Sequence, residues 1–158
     1  MEKLDKTDLK ILRQLQEDAS LSNVELAAKV SLSASPTLAR VKNLEAEGVI
    51  HRYVALVDPH VLGLKVNVFV RISLEKQESA ALERFEQAVS DFDEVMEVYL
   101  MTGDEDYLLR IVVADIQALE RFILDHLSRI PGIKNIKSSF ALKQVKYKTA
   151  LPIAASLR

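Results

Sequence analysis

Residues 33–43 bring together side chains that can form hydrogen bonds with nucleic acid. This stretch contains an arginine, a lysine, an asparagine and two serines, and no acidic residue. Arginine can read guanine and asparagine can read adenine through paired hydrogen bonds, while serine hydroxyls near a helix start suit phosphates and base edges. The candidate DNA contacts in this stretch are Ser33, Ser35, Pro36, Thr37, Ala39, Arg40, Lys42 and Asn43.

A second candidate site lies at residues 101–107, Met-Thr-Gly-Asp-Glu-Asp-Tyr. A free amino acid needs hydrogen-bond donors for its carboxylate and an acceptor for its ammonium group. The backbone N–H groups of Thr102 and Gly103 supply donors, and the three consecutive carboxylates supply acceptors. An ordinary acidic hairpin turn with Gly103 at positive φ explains the same residues without a ligand, so the segment alone leaves both interpretations open.

The sequence contains none of the residue patterns that are typical of catalytic or metal-binding sites. There is no cysteine, and the three histidines are isolated from one another in different predicted elements. The acids at 104–106 do not have EF-hand spacing, and no Gly-rich phosphate loop or nucleophile elbow is present. We therefore predict no catalytic residue, no metal site and no cofactor, and a function other than that of an enzyme.

Two predicted helices position the first candidate site. Ser22 precedes an apolar-periodic run with Glu25 three residues later, and Ser33 comes just ahead of Pro36, so each serine is a helix-start signal. The short connection forces a steep crossing angle, which is the helix-turn-helix arrangement used for the DNA major groove. Many proteins that never touch DNA contain two such helices, so this pattern leaves DNA binding open. The inner side of the second helix is predicted to consist of Leu38, Val41 and Leu44.

Two further elements complete this predicted domain. Residues 5–18 form a supporting helix, and residues 49–57, rich in β-branched and aromatic residues, predict a strand or small hairpin. A helix-turn-helix followed by such a strand is a winged variant, in which Arg52 either reaches the phosphates or is simply solvated. Pro59 interrupts the pattern, so we predict a winged helix-turn-helix domain at 1–60 and a second domain at 61–158.

The second domain has an α+β pattern. Its order β-α-β-β-α-β is the ferredoxin-like arrangement, an antiparallel sheet with helices on one face. Apolar positions in the fourth strand shift from even to odd, which indicates a bulge or a strand that joins another subunit. Phe69 would meet water on the other face of the sheet, so we predict a homodimer in which two sheets pack together. The predicted strands are 66–74, 95–101, 107–113 and 133–147, and the predicted helices are 82–92 and 116–130.

Composition limits the classes of function. The 158 residues are 49% hydrophobic and 28% charged, with a net charge of -2. This charge argues mildly against nucleic-acid binding, so any positive surface must come from segregation of the charged residues. No apolar run approaches the roughly 18 residues of a membrane span, and the start of the chain lacks the apolar centre of a signal peptide. We expect no membrane partner and a cytoplasmic location, with which the lack of cysteine agrees.

The chain resembles the leucine-responsive/asparagine-responsive (Lrp/AsnC, or feast/famine) family of transcriptional regulators over essentially its whole length. The resemblance is carried by LDKTDLKILRQLQEDASLSNVELAAKVSLSASPTLARVKNLEAEGVIHRYVALVDPHVLGL, GDEDYLLRIVVAD, PGI and SSFALKQVKYKTALPI. It implies a winged helix-turn-helix that binds double-stranded DNA and a βαββαβ domain that forms homodimers and often octamers. It also implies regulation of amino-acid metabolism, with a small effector, commonly an amino acid, at interfaces between dimers.

By position, the resemblance places the glycine and acids of the family's effector loop at Gly103, Asp104 and Asp106. Where the family commonly has a bulkier or charged residue before the arginine of the recognition helix, this chain has Ala39. Two alternatives stay open: an effector-independent architectural DNA-binding protein, and a sensing module that acts on a partner protein. The predicted effector-binding residues are Met101, Thr102, Gly103, Asp104, Asp106, Tyr107, Ser138 and Ser139.

Overall fold

The chain forms two compact units in this computed structural model, which describes residues 4–153. The first unit runs to Leu56 and also includes the segment that begins at Val145. The second unit is Val57–Gln144. Residues 145–153 therefore belong to the same unit as the helices near the start of the chain, which the sequence did not indicate.

Three helices build the first unit. Reciprocal capping boxes open the first two: Asp5 pairs with Asp8, and Ser22 pairs with Glu25. Each box satisfies backbone N–H groups that a helix start would otherwise leave unpaired. Ser31, at φ 60, ends the second helix in the left-handed conformation and turns the chain into the third. The helices are α1 (Lys6–Glu17), α2 (Asn23–Val30) and α3 (Ala34–Ala46), and their buried core contains Ile11, Leu26, Val30 and Leu44.

The predicted wing strand at 49–57 is not formed within the described chain. Residues 51–58 carry no strand assignment, and the side chains of Tyr53, Val54 and Leu56 are exposed. β-branched composition favours extended backbone, but a strand needs a neighbouring edge to complete its hydrogen-bond ladder. This prediction was wrong for the isolated subunit.

The final described residues bind to α1. The side-chain amide of Gln16 donates to Leu151 O at 3.3 Å and accepts from Leu151 N at 2.7 Å. A second bond runs from Arg13 Nη2 to Ile153 O at 3.2 Å. These contacts border an apolar cavity of about 800 Å³ between α1, residues 49–56 and the returning segment. Residues 151–153 are thus part of the structure of the first unit.

The second unit confirms the predicted βαββαβ order. All three strand pairs are antiparallel, and the strand order in the sheet is β2-β3-β1-β4. The elements are β1 (Val66–Leu74), α4 (Ser79–Ser90), β2 (Val95–Leu100), β3 (Tyr107–Val113), α5 (Ile116–Asp125), a 3₁₀ turn (Leu127–Arg129) and β4 (Ile133–Phe140).

The core of this unit lies between the sheet and its two helices. Alternate residues of β1 and β3 are buried there against Phe85 of α4 and Phe122 of α5. The opposite side of the sheet, called the open face below, contains half-buried or exposed side chains. The open face consists of Asn67, Phe69, Arg71, Leu108, Arg110 and Val112 together with Glu97, Tyr99, Lys137 and Ser139.

β4 ends earlier than predicted. Its ladder with β1 stops at the pair Val68–Phe140, and the last contact is Ala141 N to Asn67 O at 3.4 Å. Since β1 itself begins at Val66, residues 142–147 have no partner strand within the described part of the chain, and Leu142 and Val145 are exposed. The change of apolar positions in the sequence therefore coincides with the end of the strand rather than with a bulge within it.

No helix among residues 4–153 is long and apolar enough to cross a lipid bilayer.

Candidate DNA interface and effector loop

The outward side of α3 places most of the predicted DNA contacts on one surface. The exposed residues in the first two and a half turns of α3 include no acid, and the exposed acids Glu45 and Glu47 follow only at the end of the helix. Lys42 has no salt bridge within the described part of the chain and extends into solvent. We call this surface the α3 face; it consists of Ser33, Ser35, Pro36, Leu38, Ala39, Lys42 and Asn43.

Thr37 and Leu38 exchange their predicted positions. Thr37 is fully buried, and its hydroxyl donates to Ser33 O at 2.9 Å, so its side chain lies in the core and not on the α3 face. Leu38 is 44% exposed. The inner stripe runs through Thr37, Val41 and Leu44 at helical spacing, and Leu38 falls outside it. We therefore remove Thr37 from the candidate contacts and add Leu38, which hydrophobicity alone had placed inside.

Arg40 is engaged within the protein. Its Nη1 lies 2.7 Å from Asp5 Oδ2 and 2.7 Å from Asp8 Oδ1, at the start of α1. Both carboxylates also belong to the α1 capping box, so their orientations are set by backbone hydrogen bonds. The guanidinium that the sequence assigned to base reading is thus half-buried between α3 and α1.

Arg52 is exposed, in the irregular segment that follows α3. The sequence placed it on a wing strand, which this subunit does not form. Its position in the first unit leaves the side chain in solvent, where a phosphate contact requires no rearrangement of the core.

The contact between α1 and α3 should weaken in acid. The hydrogen bond from Asp8 N, with a further contribution from Arg40, holds the pKa of Asp5 below its ordinary value of 3.8. A carboxyl group whose pKa is lowered by folding contributes stability above its unfolded pKa, and this contribution disappears as the pH falls through the folded pKa. We expect Asp5→Asn to lower the melting temperature at about pH 7 and to have almost no effect near pH 2, as calorimetry at both pH values would show. An equal effect at both would contradict this assignment.

The predicted effector loop is attached to the core by Asp106. This residue is 7% exposed; its Oδ2 accepts from Leu74 N at 2.7 Å, and its Oδ1 accepts from Gln77 Nε2 at 2.6 Å. Its backbone closes the loop, since Met101 N donates to Asp106 O at 2.8 Å. The carboxylate predicted to bind a ligand therefore has a structural role, which holds the loop against the end of β1.

Tyr107 is also a core residue. It is 1% exposed, its ring lies 4.5 Å from that of Phe85, and its hydroxyl donates to Glu86 Oε1 at 2.7 Å. Burial, followed by the hydrogen bond to Glu86, raises its pKa well above the ordinary value. Tyr107 thus anchors the C-terminal side of the loop and does not present its hydroxyl to a ligand.

The exposed part of the loop connects to β4 through charged residues that the sequence analysis missed. Glu105 Oε1 lies 3.1 Å from Lys137 Nζ and 3.9 Å from Arg71 Nη1. Arg71 Nη2 in turn donates to Ser139 Oγ at 3.4 Å. Ser138 is exposed on β4 opposite Val70. The loop and Ser139 are therefore linked through Arg71, which only the strand register could reveal, whereas Ser138 pairs with Val70 and lies on the other face of β4.

The solvent-facing part of the loop offers polar groups without structural ties to the core. Thr102, Gly103 and Asp104 are exposed, and Gly103 has a φ of 128, which favours glycine. No group of three or more potential metal ligands occurs within the described residues. The loop can thus offer backbone N–H donors and a carboxylate to a small zwitterion.

Comparison with known protein families assigns both units. Residues 4–51 match a winged helix-turn-helix DNA-binding family, and residues 67–151 match the Lrp/AsnC ligand binding domain. The chain belongs to the Lrp/AsnC family of transcriptional regulators. As the sequence predicted, this Lrp/AsnC regulator combines a DNA-binding helix-turn-helix unit with an α+β ligand-binding domain.

Relatives match along nearly the whole chain. The Bkd operon transcriptional regulator of Pseudomonas aeruginosa is 48% identical over 153 residues, which cover 97% of this chain and 100% of that protein. The leucine-responsive regulatory protein of Escherichia coli is 39% identical over 150 residues, which cover 95% of this chain and 92% of that protein.

A solved structure shows the same fold. A transcriptional regulator of Neisseria meningitidis in complex with L-Met superimposes with a TM-score of 0.90 at 42% identity, and the match covers 94% of this chain and 96% of that one.

Proposed function

We propose that this Lrp/AsnC regulator binds specific sites on double-stranded DNA as a homodimer. Each subunit inserts the α3 face into the major groove, and the two half-sites lie about one helical turn apart. The observation that carries this proposal is the exposed, acid-free first half of α3 in a unit that matches a winged helix-turn-helix family. Ser33, Ser35 and Asn43 supply hydrogen bonds, Lys42 and Arg52 supply charge for phosphates, and Pro36, Leu38 and Ala39 supply apolar contacts.

The open face of the sheet supports self-association. Phe69 and Leu108 lie there only half-buried, and the Oδ1 atom of Asn67 is buried without a hydrogen-bond donor. Buried polar atoms normally have a partner, and large apolar side chains on an otherwise polar sheet face are typical of a surface that packs against another protein surface. A second copy of the sheet supplies both, which gives the homodimer, and further dimers assemble into an octamer.

An amino acid is the effector class that the loop suits best. Backbone N–H groups at Thr102 and Gly103 fit its carboxylate, and Asp104 fits its ammonium group. The complex of the Neisseria relative with L-Met supports this class of ligand. A ligand bound at a contact between dimers changes their assembly, because its affinity differs between packings. Through that change the effector alters which promoters of amino-acid metabolism the protein occupies.

A ligand screen followed by DNA titration tests the proposal. We expect at least one of the twenty amino acids to raise the melting temperature of the full chain, because a ligand that binds only the folded state stabilises it. The same amino acid should change the sedimentation coefficient or the affinity for a duplex that the protein selects from a random-sequence pool. A protein that selects no duplex, even at low salt, contradicts the DNA-binding proposal. If the protein selects a duplex and none of the amino acids changes this binding, the result favours the architectural alternative.

A further inference from the structure

Arg40 is held by a preformed acidic site on α1. Asp5 Oδ1 accepts from Thr7 N at 2.7 Å and from Asp8 N at 2.8 Å, and Asp8 Oδ2 accepts from Asp5 N at 3.0 Å. The remaining oxygen of each carboxylate faces Arg40 Nη1 at 2.7 Å. The capping box therefore presents two oriented acceptors, and α3 supplies the cation that fits between them.

Electrostatics favour the conformation in which Arg40 is paired with Asp5 and Asp8. Two carboxylates surround one guanidinium, so the cluster has a net negative charge, and the side chain of Asp8 is only 16% exposed. If Arg40 turned toward a base, both carboxylates would lose their cation beside the DNA polyanion. Asp5, Asp8 and Arg40 line a cavity of about 440 Å³, and Glu47, which also lines it, adds a third acid. DNA binding therefore gives no reason for Arg40 to leave α1.

From this geometry we infer that Arg40 is a positioning residue, which fixes the angle of α3 against α1, and that it reads no base. Sequence readout then belongs to the α3 face, with Leu38 and Ala39 at its centre and Lys42 and Asn43 beside them. The inference rests on the proposed DNA-binding function. It assigns to Asp8, a residue of the supporting helix, a role in DNA affinity that its position in the sequence does not suggest.

One substitution, Asp8→Asn, distinguishes the two possible roles of Arg40. If Arg40 positions α3, Asp8→Asn removes the charge of the more buried of its two anchors and should weaken binding to the selected duplex by about tenfold, an amount equal to one lost charged interaction. If Arg40 reads a base, the same substitution releases the guanidinium and should leave the affinity unchanged or increase it. The affinity is measured with the full chain by fluorescence anisotropy, against an excess of unrelated competitor duplex to remove the general effect of charge.

The base preference supplies a second, independent measurement. Arg40→Gln should weaken binding to every member of a set of single-base variants of the duplex by one common factor. Arg40→Lys retains an ion pair with Asp8, so it should restore most of the affinity and keep the base preferences of the parent protein. A base-reading arginine would instead lose discrimination of about 5- to 150-fold at one base pair, and lysine would not restore it. Lys29→Gln on the exposed side of α2 is the matched control for the loss of one positive charge.

Each result is decisive. Weaker binding by Asp8→Asn together with a uniform loss in Arg40→Gln supports the inference. Tighter or unchanged binding by Asp8→Asn, or a loss confined to one base pair in Arg40→Gln, overturns the inference and leaves the proposed function intact. Failure of the parent protein to select any duplex would instead contradict the proposed function itself.

Discussion

Replacing Lys42 by glutamate should lower the affinity for a selected duplex by about a hundredfold or more at physiological salt. Lys42 is exposed on the α3 face, without a salt bridge among the residues described, so its ammonium group is free to neutralise a phosphate. Loss of one such contact in each of two subunits should reduce the slope of log K against log salt concentration by about 1.8, at roughly 0.9 per contact. The fold should persist, because the side chain contributes nothing to the core.

Lys10→Glu provides the matched control for this experiment. It is an exposed lysine of α1, so both substitutions change the net charge of the first unit equally. Charges separated by more than about 8–10 Å are largely screened at physiological salt, so only a lysine close to the phosphates should affect binding strongly. Anisotropy titrations at several salt concentrations would measure both affinity and slope. Similar losses of affinity in the two variants would show that Lys42 of α3 does not contact the DNA.

Local sequence patterns predicted the elements of this fold well. The alternation of residues in β1 and β3 gave both strands with their observed bounds, and the serine and glutamate of the α2 capping box gave its start. These features depend on interactions within a few residues, or on a period that a buried face imposes. They could therefore be read without knowledge of the rest of the chain.

The errors arose where a distant partner decides the outcome. Residues 49–57 and 141–147 have strand composition, but neither segment pairs with another strand among residues 4–153. Thr37 can be buried because Ser33 O, one turn away, accepts a hydrogen bond from its hydroxyl group. A polar residue therefore lies in the core, and Leu38 lies outside it. Polarity alone predicts that Leu38 is buried and Thr37 exposed. The direction in which each side chain points from the helix, together with the hydrogen bond of Thr37, determines the opposite arrangement.

The same limit applies to the candidate sites. Arg40 and Asp106 were chosen because their chemistry suits a ligand, and both are occupied by partners more than twenty residues away in the sequence. The α1 acids were visible in the sequence, but nothing there indicated which cation they face. A charged residue in a predicted site can thus build the site instead of contacting the ligand, and only the tertiary contacts distinguish these roles.

Asp106→Ala should separate these roles in the effector loop. It leaves Leu74 N, a buried donor at the end of β1, and the amide of Gln77 without an acceptor. Loss of a buried bond to a charged group costs about 1.5–3 kcal/mol, so urea denaturation should show a decrease of this size in the free energy of unfolding. Because the loop loses its tie to β1, the affinity for the amino acid identified by thermal shift should also decrease by about tenfold or more, since preorganised donors bind more tightly.

Asp104→Ala is the informative comparison, because Asp104 is exposed and lies two residues away in the same loop. If Asp104 accepts the ligand's ammonium group, its replacement should weaken binding in calorimetry and leave the free energy of unfolding unchanged. Asp106→Asn, which retains one acceptor for Leu74 N, should recover much of the stability and of the affinity. Full ligand affinity in Asp106→Ala would mean that the ligand does not depend on the conformation of residues 101–105, and the effector site would then have to lie elsewhere in the second unit.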